Sequence, residues 1–455
     1  MKENKWTKNL FSKLLILIMI IIAIFAYKKY DYNFYSKGIA ETGKTSFSRD
    51  SKNTVNKDSS YKIENKDYND AMFYREIEVK QFTPYKVTCM VKTENVEQFE
   101  NEQLAGAQIV LKNTEEHSKV LSGTNDWTKL EFYFNSKNNS KVEIGFRLGG
   151  NGQKAKGTAW ISDITLEEGF QEKADITTWN FACFVFDNVD VTLDNGYNVK
   201  ESLNLLDVYN ITDTMQRFKE TCDALSKNRM NVEFDVIEIK EPITTLTYDE
   251  ANGYYIGEGD VYNLIQNYVE QKEYDHIFVC AKLPSEEIMA DANKTNWIGL
   301  GNMQYCGKGY SNIRITEEDT GIYQFSNKNT FPEEVFLHEF LHTLERNSAE
   351  YGYEVPALHD YANYGYSESR TDGLRAWYKD YMNKEIKYNG KYIGLPEEIY
   401  AYSTIQPSNF VYSNKLNYLD APHNLIEIVQ SLGARIKLLF NKNNDETIKV
   451  QIISQ

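Results

Sequence analysis

Cysteine and histidine are both scarce in this chain, which has five cysteines and six histidines among 455 residues. No two cysteines stand in a C-x-x-C spacing, so the sequence predicts neither a cysteine metal site nor a dithiol redox motif. Basic residues are also outnumbered, because 50 lysines and arginines face 66 aspartates and glutamates, for a formal net charge of −16. This acidic balance argues against nucleic acid or an anionic membrane surface as a partner. The length still allows two or three domains, each with its own core.

The few histidines that the chain does have are concentrated, since three of the six lie within 22 residues. Two of them form the H-E-x-x-H sequence His338-Glu339-Phe340-Leu341-His342. On a helix His338 and His342 stand one turn apart on one face, so two imidazole nitrogens can converge on one metal ion. Glu339, rotated by about 100°, is expected to act as a general base toward a water on that metal without binding the metal itself.

A helix over 331–346 is indicated by its apolar pattern and by its start. Thr330 and Glu333 have the spacing of a capping box, and Pro332 suits a first turn. The apolar stripe at i, i+3, i+4 and i+7 consists of Leu337, Phe340, Leu341 and Leu344. The segment resembles the active-site helix of zincin-type zinc metallopeptidases. That resemblance implies a zinc cofactor, with His338 and His342 as ligands and Glu339 as the catalytic residue.

A catalytic zinc needs a third protein ligand besides this histidine pair. The metzincin extension H-E-x-x-H-x-x-G-x-x-H is absent, because Glu345 and Ser348 occupy the positions of its glycine and third histidine. His359 is the favoured third ligand, since histidine is rare here and Pro356 would stiffen the loop that carries it. It would complete a three-histidine site.

Two other third ligands remain open. Asp360 resembles the aspartate ligand of aspzincins, although their D-x-x-Y-G pattern is one residue longer in this chain. Glu368 begins a stretch, SESRTD at 367–372, that resembles the N-E-x-x-S-D of thermolysin-like enzymes. In that resemblance Glu368 would bind zinc and Asp372 would orient a ligand histidine.

The first 30 residues predict a membrane anchor. Lysines flank the apolar run Leu14–Tyr27, which has 14 residues, and a span counted from Leu10 reaches 18. We expect an uncleaved anchor over 1–30 and a single-pass protein of the cell membrane whose catalytic domain is extracellular. A cleaved signal peptide, and hence secretion, is the alternative.

Residues 31–57 are polar and aperiodic, which favours a linker, and 58–170 show the alternation of an antiparallel β-sandwich. Within it, the stretches GTNDWTKLEFYF (123–134) and GTAWISDITLEEG (157–169) resemble the closing strands of jelly-roll carbohydrate-binding modules. That resemblance implies a possible glycan ligand, with Tyr133 or Trp160 stacking on a sugar ring. For any one aromatic residue, a place in the sandwich core is the commoner role.

Residues 175–455 contain the H-E-x-x-H sequence and are predicted to form the catalytic domain. Strand and helix patterns alternate there. The order resembles the upper part of the zincin fold, in which an edge strand, here 297–304, pairs with an extended substrate. Tyr364, Tyr366 and Tyr402 are candidates to stabilise an oxyanion. The predicted elements are strand 181–189, helix 215–229, strand 232–239, helix 260–272, strand 276–283, strand 297–305 and an apolar helix over 424–440.

The predicted fold class is therefore an α+β zincin-like catalytic domain plus an all-β jelly-roll sandwich, with an N-terminal membrane anchor. The predicted function is that of a surface-exposed zinc endopeptidase acting on extracellular proteins or glycoproteins. One alternative is a glycan-binding adhesion protein whose zincin-like domain is not proteolytic. Another is a cell-wall peptide amidase with similar zinc chemistry.

Overall fold

A β-sandwich and an α/β unit make up the part of the chain that this computed structural model describes. The described residues are 39–56, 59–171, 177–194, 196–272, 274–284, 297–315, 331–368, 371–401 and 410–416.

The sandwich consists of two antiparallel sheets that share one apolar core. In β5 (Pro84–Gln98) the residues Tyr85, Val87, Cys89 and Val91 are buried in that core, and the residues between them are only half-buried, which confirms the predicted alternation. The first sheet has the order β1 (Ile39–Ala40), β4 (Ala71–Glu78), β8 (Lys141–Gly149), β6 (Gly106–Leu111). The second has the order β2 (Thr45–Asp50), β3 (Ser60–Asn69), β9 (Ala155–Gln171), β5 (Pro84–Gln98), β7 (Gly123–Asn135), and β21 (Phe410–Leu416) also pairs with β9.

The sandwich extends beyond the predicted range 58–170 at both ends. The sequence predicts a linker over 31–57, but β1 and β2 lie within that segment, and β2 pairs with β3 along its whole length. Phe47 of β2 packs against the core, so this strand is held both by backbone pairing and by one apolar contact. Strand β21 belongs to the range 175–455, which the sequence predicts to be the catalytic domain, yet it pairs with β9 of the sandwich by backbone hydrogen bonds. Backbone pairing of this kind leaves little signal in a sequence pattern.

The α/β unit is built on a five-stranded sheet. The sheet strands, in chain order, are β10 (Thr177–Phe186), β13 (Met230–Ile239), β16 (His276–Lys282), β17 (Gly299–Tyr305) and β18 (Lys308–Ile315). Strands β13, β10, β16 and β18 run parallel, and β17 pairs antiparallel with β18 at the edge of the sheet. Three hairpins accompany them, β11 (Asn188–Thr192) with β12 (Asn198–Ser202), β14 (Thr247–Asp249) with β15 (Gly253–Tyr255), and β19 (Ile386–Tyr388) with β20 (Lys391–Ile393).

Helices cover both faces of this sheet. They are α1 (Leu205–Leu225), α2 (Glu258–Val269), α3 (Pro332–Glu350) and α4 (Arg375–Met382), and two 3-10 helices span Leu358–Tyr364 and Glu397–Ala401. Phe181 of β10 belongs to the apolar cluster that includes α1 and α3, and Phe184 of the same strand belongs to the cluster that includes α2. A central strand buried on both faces must be apolar at successive positions, and the second half of β10 is.

The predicted elements of this unit are present with two differences. Helix α1 begins ten residues before the predicted start of 215, because Asn204 and Asp207 form a capping box that ends the preceding extended chain. A strand that the sequence did not reveal, β18, follows β17 and separates it from its parallel neighbours. Strand β17 is thus the edge strand, as expected, although it is not the last strand before α3. The predicted helix at 424–440 lies outside the described residues.

The predicted localisation in the cell membrane is contradicted. No helix in the part of the chain that the structure describes is long and apolar enough to cross a membrane. The two longest, α1 and α3, interleave charged residues with apolar ones, as helices packed on a sheet do. The predicted anchor itself, residues 1–30, lies outside the described ranges.

The sandwich packs directly against the α/β unit along a surface that we call the seam. Val120 of the sandwich is part of the apolar cluster of α2, and its backbone N–H donates to the Tyr262 hydroxyl at 2.7 Å. The Asn263 N–H donates to Gln103 Oε1 at 2.9 Å. At the other end of the seam, Lys137 lies 3.4 Å from the carboxylate of Glu350, the last residue of α3. The two units therefore meet through apolar packing, hydrogen bonds, of which the Val120–Tyr262 bond is buried, and charge pairs.

Candidate metal centre

Helix α3 carries the H-E-x-x-H residues and packs against α1 and β10 through the apolar stripe that the sequence predicts. Leu337, Phe340, Leu341 and Leu344 are all fully buried in the cluster shared with α1 and β10, which confirms the periodicity. The helix begins at Pro332 after Phe331, whose side chain makes no capping hydrogen bond. The predicted capping residue Thr330 lies outside the described residues.

The two histidines of the motif stand together on one side of α3. The ring centroids of His338 and His342 are 4.8 Å apart. His338 Nδ1 lies 3.1 Å from the Tyr378 hydroxyl, and His342 Nδ1 lies 3.0 Å from Glu345 Oε2. With each Nδ1 occupied by a hydrogen-bond partner, the lone pair of each Nε2 is available to a metal ion, which is how metal-binding histidines are usually oriented.

His359 joins this pair although it lies 17 residues further along the chain. It is the second residue of the 3-10 helix, and its Nε2 lies 3.1 Å from Nε2 of His342. The loop is fixed at Leu358, whose N–H donates to Glu345 Oε1 at 3.1 Å and whose carbonyl accepts from Trp377 Nε1 at 3.0 Å. Glu345 therefore contacts one histidine directly and holds the backbone next to another.

The ligand atoms of His338, His342 and His359 lie within 4.8 Å of one another. Among the described residues this group includes neither Asp360 nor Glu368, the two alternative third ligands. Three nitrogens bound to zinc at tetrahedral positions, 2.0–2.1 Å from the ion, lie roughly 3.3 Å apart. Burial lowers the pKa of His338 well below its usual range, and the two neighbouring imidazoles add to the shift. The set fits zinc, since the ligand atoms of three histidines lie close enough to share one ion.

Glu339 lies on the sheet side of the helix. It is 5% exposed, and its carboxylate accepts a hydrogen bond from the Gly301 N–H. Burial raises the pKa of Glu339 to about 8, and the Gly301 hydrogen bond opposes that rise. A buried carboxyl group beside a histidine cluster, and not part of it, suits a proton-transfer role.

Two glycines of β17 make room for that carboxylate. A Cβ at Gly299 would lie 2.4 Å from Glu339 Oε1, and a Cβ at Gly301 would lie 2.7 Å from Oε2. Both distances are too short for the carboxylate to keep its position. Between Leu300 and Met303 the pairing of β17 with β18 shifts register, and Asn302 has a left-handed φ of 62°. Irregularities of this kind are common beside active sites. Here the bulge contains the N–H that contacts Glu339.

The tyrosine candidates do not all face the histidines. Tyr364 stacks on Trp377 at a ring distance of 5.8 Å, and the Tyr366 hydroxyl donates to Asp380 at 2.6 Å. Tyr402 lies outside the described residues. The tyrosine that does reach the site is Tyr378, which sequence reasoning did not select because its place on α4 depends on the fold. Glu345 could have been found, since three residues separate it from His342 on one helix.

On the sandwich, the two glycan-binding candidates occupy the outward face of the second sheet. Trp160 is only 4% exposed, its indole N–H donates to Asp50 at 2.8 Å, and the amines of Lys62 and Lys92 lie over its ring. Tyr133 is half-buried, and its hydroxyl donates to Glu131 at 2.9 Å. Neither ring fills the core, so both belong to the outer face of the sheet.

No family model matches the chain, and no curated protein matches it. Similar solved structures include one described as "CBM4 structure and function", with 15% identity and a TM-score of 0.21 over 30% of this chain and 89% of the other. A family 61 carbohydrate-binding module in complex with β-1,4-galactotriose has 16% identity and a TM-score of 0.21, over 31% of this chain and 94% of the other. The CBM22-1–GH10 modules of a Clostridium thermocellum endo-1,4-β-D-xylanase have 11% identity and a TM-score of 0.20, over 54% of this chain and 44% of the other.

Proposed function

We propose that this chain is a zinc-dependent endopeptidase whose substrates are proteins or glycoproteins. The observation that carries the proposal is the convergence of His338, His342 and His359, with Glu339 beside them and outside their group. Structural zinc sites are closed by four protein ligands, whereas catalytic sites use three and keep a position open. A set of three histidines in the described residues therefore favours catalysis over a purely structural ion.

The chemistry follows from the roles of these residues. A zinc ion held by the three histidines would lower the pKa of a water molecule toward 7 and polarise the scissile carbonyl. Glu339 accepts the proton that the attacking water loses and returns it to the leaving nitrogen. Tyr378 and Glu345 hold the two histidines of α3 in orientation. Strand β17, at the edge of the sheet, can pair with an extended peptide through its main chain, which favours cleavage within a chain over cleavage at its end.

The test is cleavage of a mixture of proteins and mucin glycoproteins by the full-length chain, with new N-termini identified by mass spectrometry. Glu339→Gln is the matched control, because it keeps the size of the side chain and removes its ability to accept the proton. We expect Glu339→Gln to keep its zinc and to cut about 10²- to 10⁴-fold more slowly. Full activity in this variant would refute the assignment of Glu339. Zinc bound in wild type without any peptide cleaved would favour the adhesion or wall-amidase function.

We also infer that the sandwich binds carbohydrate on the outer face of its second sheet. The support is that Tyr133 and Trp160 both lie on this face, beside lysine and glutamate side chains that can hydrogen-bond sugar hydroxyls. Because Trp160 is covered by two lysines, Tyr133 is the more accessible aromatic residue.

A glycan array probed with the full-length Glu339→Gln protein tests this. The full chain is the right reagent, because strand β21 of the sandwich comes from residues far beyond 170. We expect binding that Tyr133→Ala abolishes and that Tyr392→Ala, at an exposed aromatic residue of the α/β unit, leaves unchanged. A full-length protein that binds no glycan would leave the sandwich as a spacer.

A further inference from the structure

Three metal-ligating side chains meet at the seam, away from the histidine cluster on α3. They are His117 of the sandwich, Glu258 at the start of α2, and Cys306 in the turn between β17 and β18. Their ligand atoms lie within 4.8 Å of one another, and His117 is only 7% exposed. The sequence separates these residues by 141 and 48 positions, so only the packing of the two units brings them together. We call them the seam cluster.

The donor atoms of the seam cluster face one another. His117 Nδ1 lies 2.7 Å from the Ser118 carbonyl oxygen, which can only accept, so Nδ1 carries a proton and donates it. The other nitrogen, Nε2, lies 2.9 Å from Glu258 Oε2. Glu258 Oε1 already accepts the Cys306 N–H at 2.7 Å. A neutral imidazole nitrogen and a carboxylate oxygen both offer lone pairs, so either a proton on Nε2 or a metal ion makes their approach favourable.

The backbone at Cys306 adds a second observation. Cys306 has a φ of 45° and is followed by Gly307 with a φ of 79°. Two successive left-handed residues form the turn that asparagine, aspartate and glycine favour, and cysteine is unusual at the first position. This conformation places Sγ 3.8 Å from the Ser118 carbonyl oxygen, next to the imidazole. A proton shared by His117 and Glu258 would make an ion pair and leave the thiol in contact with the Ser118 carbonyl oxygen, whereas a metal ion at the same point would use all three side chains.

We propose that His117, Glu258 and Cys306 bind a zinc-type divalent cation that joins the sandwich to the α/β unit. Imidazole, carboxylate and thiolate are the three ligand types that zinc takes in proteins. On binding, the cation displaces the thiol proton into solvent, and the charges of the thiolate and the carboxylate then balance the two positive charges of the ion. This neutrality suits a buried position. The ion would also anchor the end of β17, whose glycines Gly299 and Gly301 lie over Glu339.

Cobalt can test the seam cluster without interference from the proposed catalytic centre. The proposed catalytic centre has only histidine ligands, whereas the seam cluster contains Cys306. A thiolate-to-cobalt charge-transfer band in the near ultraviolet would therefore report on Cys306. The metal-free full-length protein is titrated with Co²⁺ while this band and the number of ions bound per chain are followed. We expect two ions and the band in wild type. In His338→Ala we expect one ion with the band retained.

The variants of Cys306 decide the outcome. Cys306→Gly removes the thiol and suits the left-handed φ, so its fold should be preserved; we expect one ion and no band. Cys222→Ala is the matched control, because it removes a different buried thiol, on α1, and should keep both ions and the band. A wild-type protein that binds one ion without the band, unchanged in Cys306→Gly, would overturn the proposal and leave a His117–Glu258 ion pair. Loss of peptidase activity would not affect either result.

Discussion

Glu345 contacts two of the three parts of the histidine cluster at once. One of its carboxylate oxygens accepts from His342 Nδ1, and the other accepts from the N–H of Leu358, the residue before His359. A single side chain thus sets the orientation of one histidine and the position of the loop that carries another. Hydrogen-bond partners of metal ligands often affect metal affinity nearly as much as the ligands themselves.

We therefore expect Glu345→Ala to weaken zinc binding about 10- to 100-fold. Glu345→Gln keeps an oxygen acceptor and should lose less, which separates orientation from mere bulk. The measurement is a zinc competition titration with a chromophoric chelator. Glu354→Ala, at an exposed position of the following loop, serves as the control and should bind zinc as wild type does. Equal affinities for Glu345→Ala and Glu354→Ala would show that the contact is dispensable.

The choice of third ligand is a second residue-scale prediction. His359 Nε2 lies 3.1 Å from His342 Nε2, whereas the group within ligand distance includes neither Asp360 nor Glu368 among the described residues. Because zinc with two imidazoles binds far more weakly than with three, His359→Ala should lose its zinc on dialysis and Glu368→Ala should keep it. Metal content by atomic spectroscopy measures both. The reverse pattern would move the ligand to Glu368.

At the scale of elements, α3 and β17 form the site between them. The helix presents the histidines on one side and Glu339 on another, and β17 covers Glu339 with backbone where side chains would collide. The bulge between Leu300 and Met303 is what turns the Gly301 N–H toward the carboxylate. The proposed general base, Glu339, is thus positioned by a strand that lacks side chains at the point of contact.

A methyl group at Gly301 should therefore damage catalysis and spare the metal. Its Cβ would lie 2.7 Å from Glu339 Oε2 and 2.9 Å from the Glu339 backbone oxygen, so the carboxylate must move. A displacement of about 1 Å in a catalytic group costs on the order of 100-fold in rate. We expect Gly301→Ala to lose about that much activity and to retain wild-type zinc content. Gly43→Ala, where nothing lies within 4 Å of the added Cβ, is the control for the substitution itself.

At the scale of the whole molecule, the sandwich and the α/β unit share buried contacts along the seam. Val120 lies in the apolar cluster of α2, and its buried N–H has the Tyr262 hydroxyl as its acceptor. Arg346 of α3 donates to the Met303 carbonyl of β17 at 2.9 Å, close to where Glu350 meets Lys137. The seam therefore lies against both elements that form the candidate site.

Tyr262→Phe tests how much one seam contact contributes. The substitution leaves the Val120 N–H buried without its acceptor, which costs about 1–3 kcal/mol. The free energy of unfolding, measured by urea denaturation of the full chain, should fall by that amount. Tyr268→Phe, on the same helix with a ring 42% exposed, should change it by less than about 0.5 kcal/mol. If both variants unfold alike, the Tyr262–Val120 bond contributes nothing measurable.

Local sequence patterns were sufficient to predict the features that depend on residues close together in the chain. The i, i+4 spacing of His338 and His342 and the stripe ending at Leu344 could be read from one turn to the next, because helix geometry links residues three and four apart. Alternation along β5 was equally visible, since inward and outward positions follow a period of two. His276, at the start of the apolar strand β16, is fully buried with Ser311 and Thr343 as its hydroxyl partners.

Only the tertiary structure determined the contacts between segments that lie far apart in the chain. The sequence left three third-ligand candidates open, and the fixed loop at Leu358 brings His359 to the pair on α3. Tyr378 reaches His338 from α4, and β21 joins the sandwich from the far end of the chain. The absence of any C-x-x-C spacing predicted no cysteine metal site, yet packing along the seam places Cys306 beside His117 and Glu258. Such groupings depend on which surfaces are buried against each other, and no periodicity in the sequence indicates which surfaces these are.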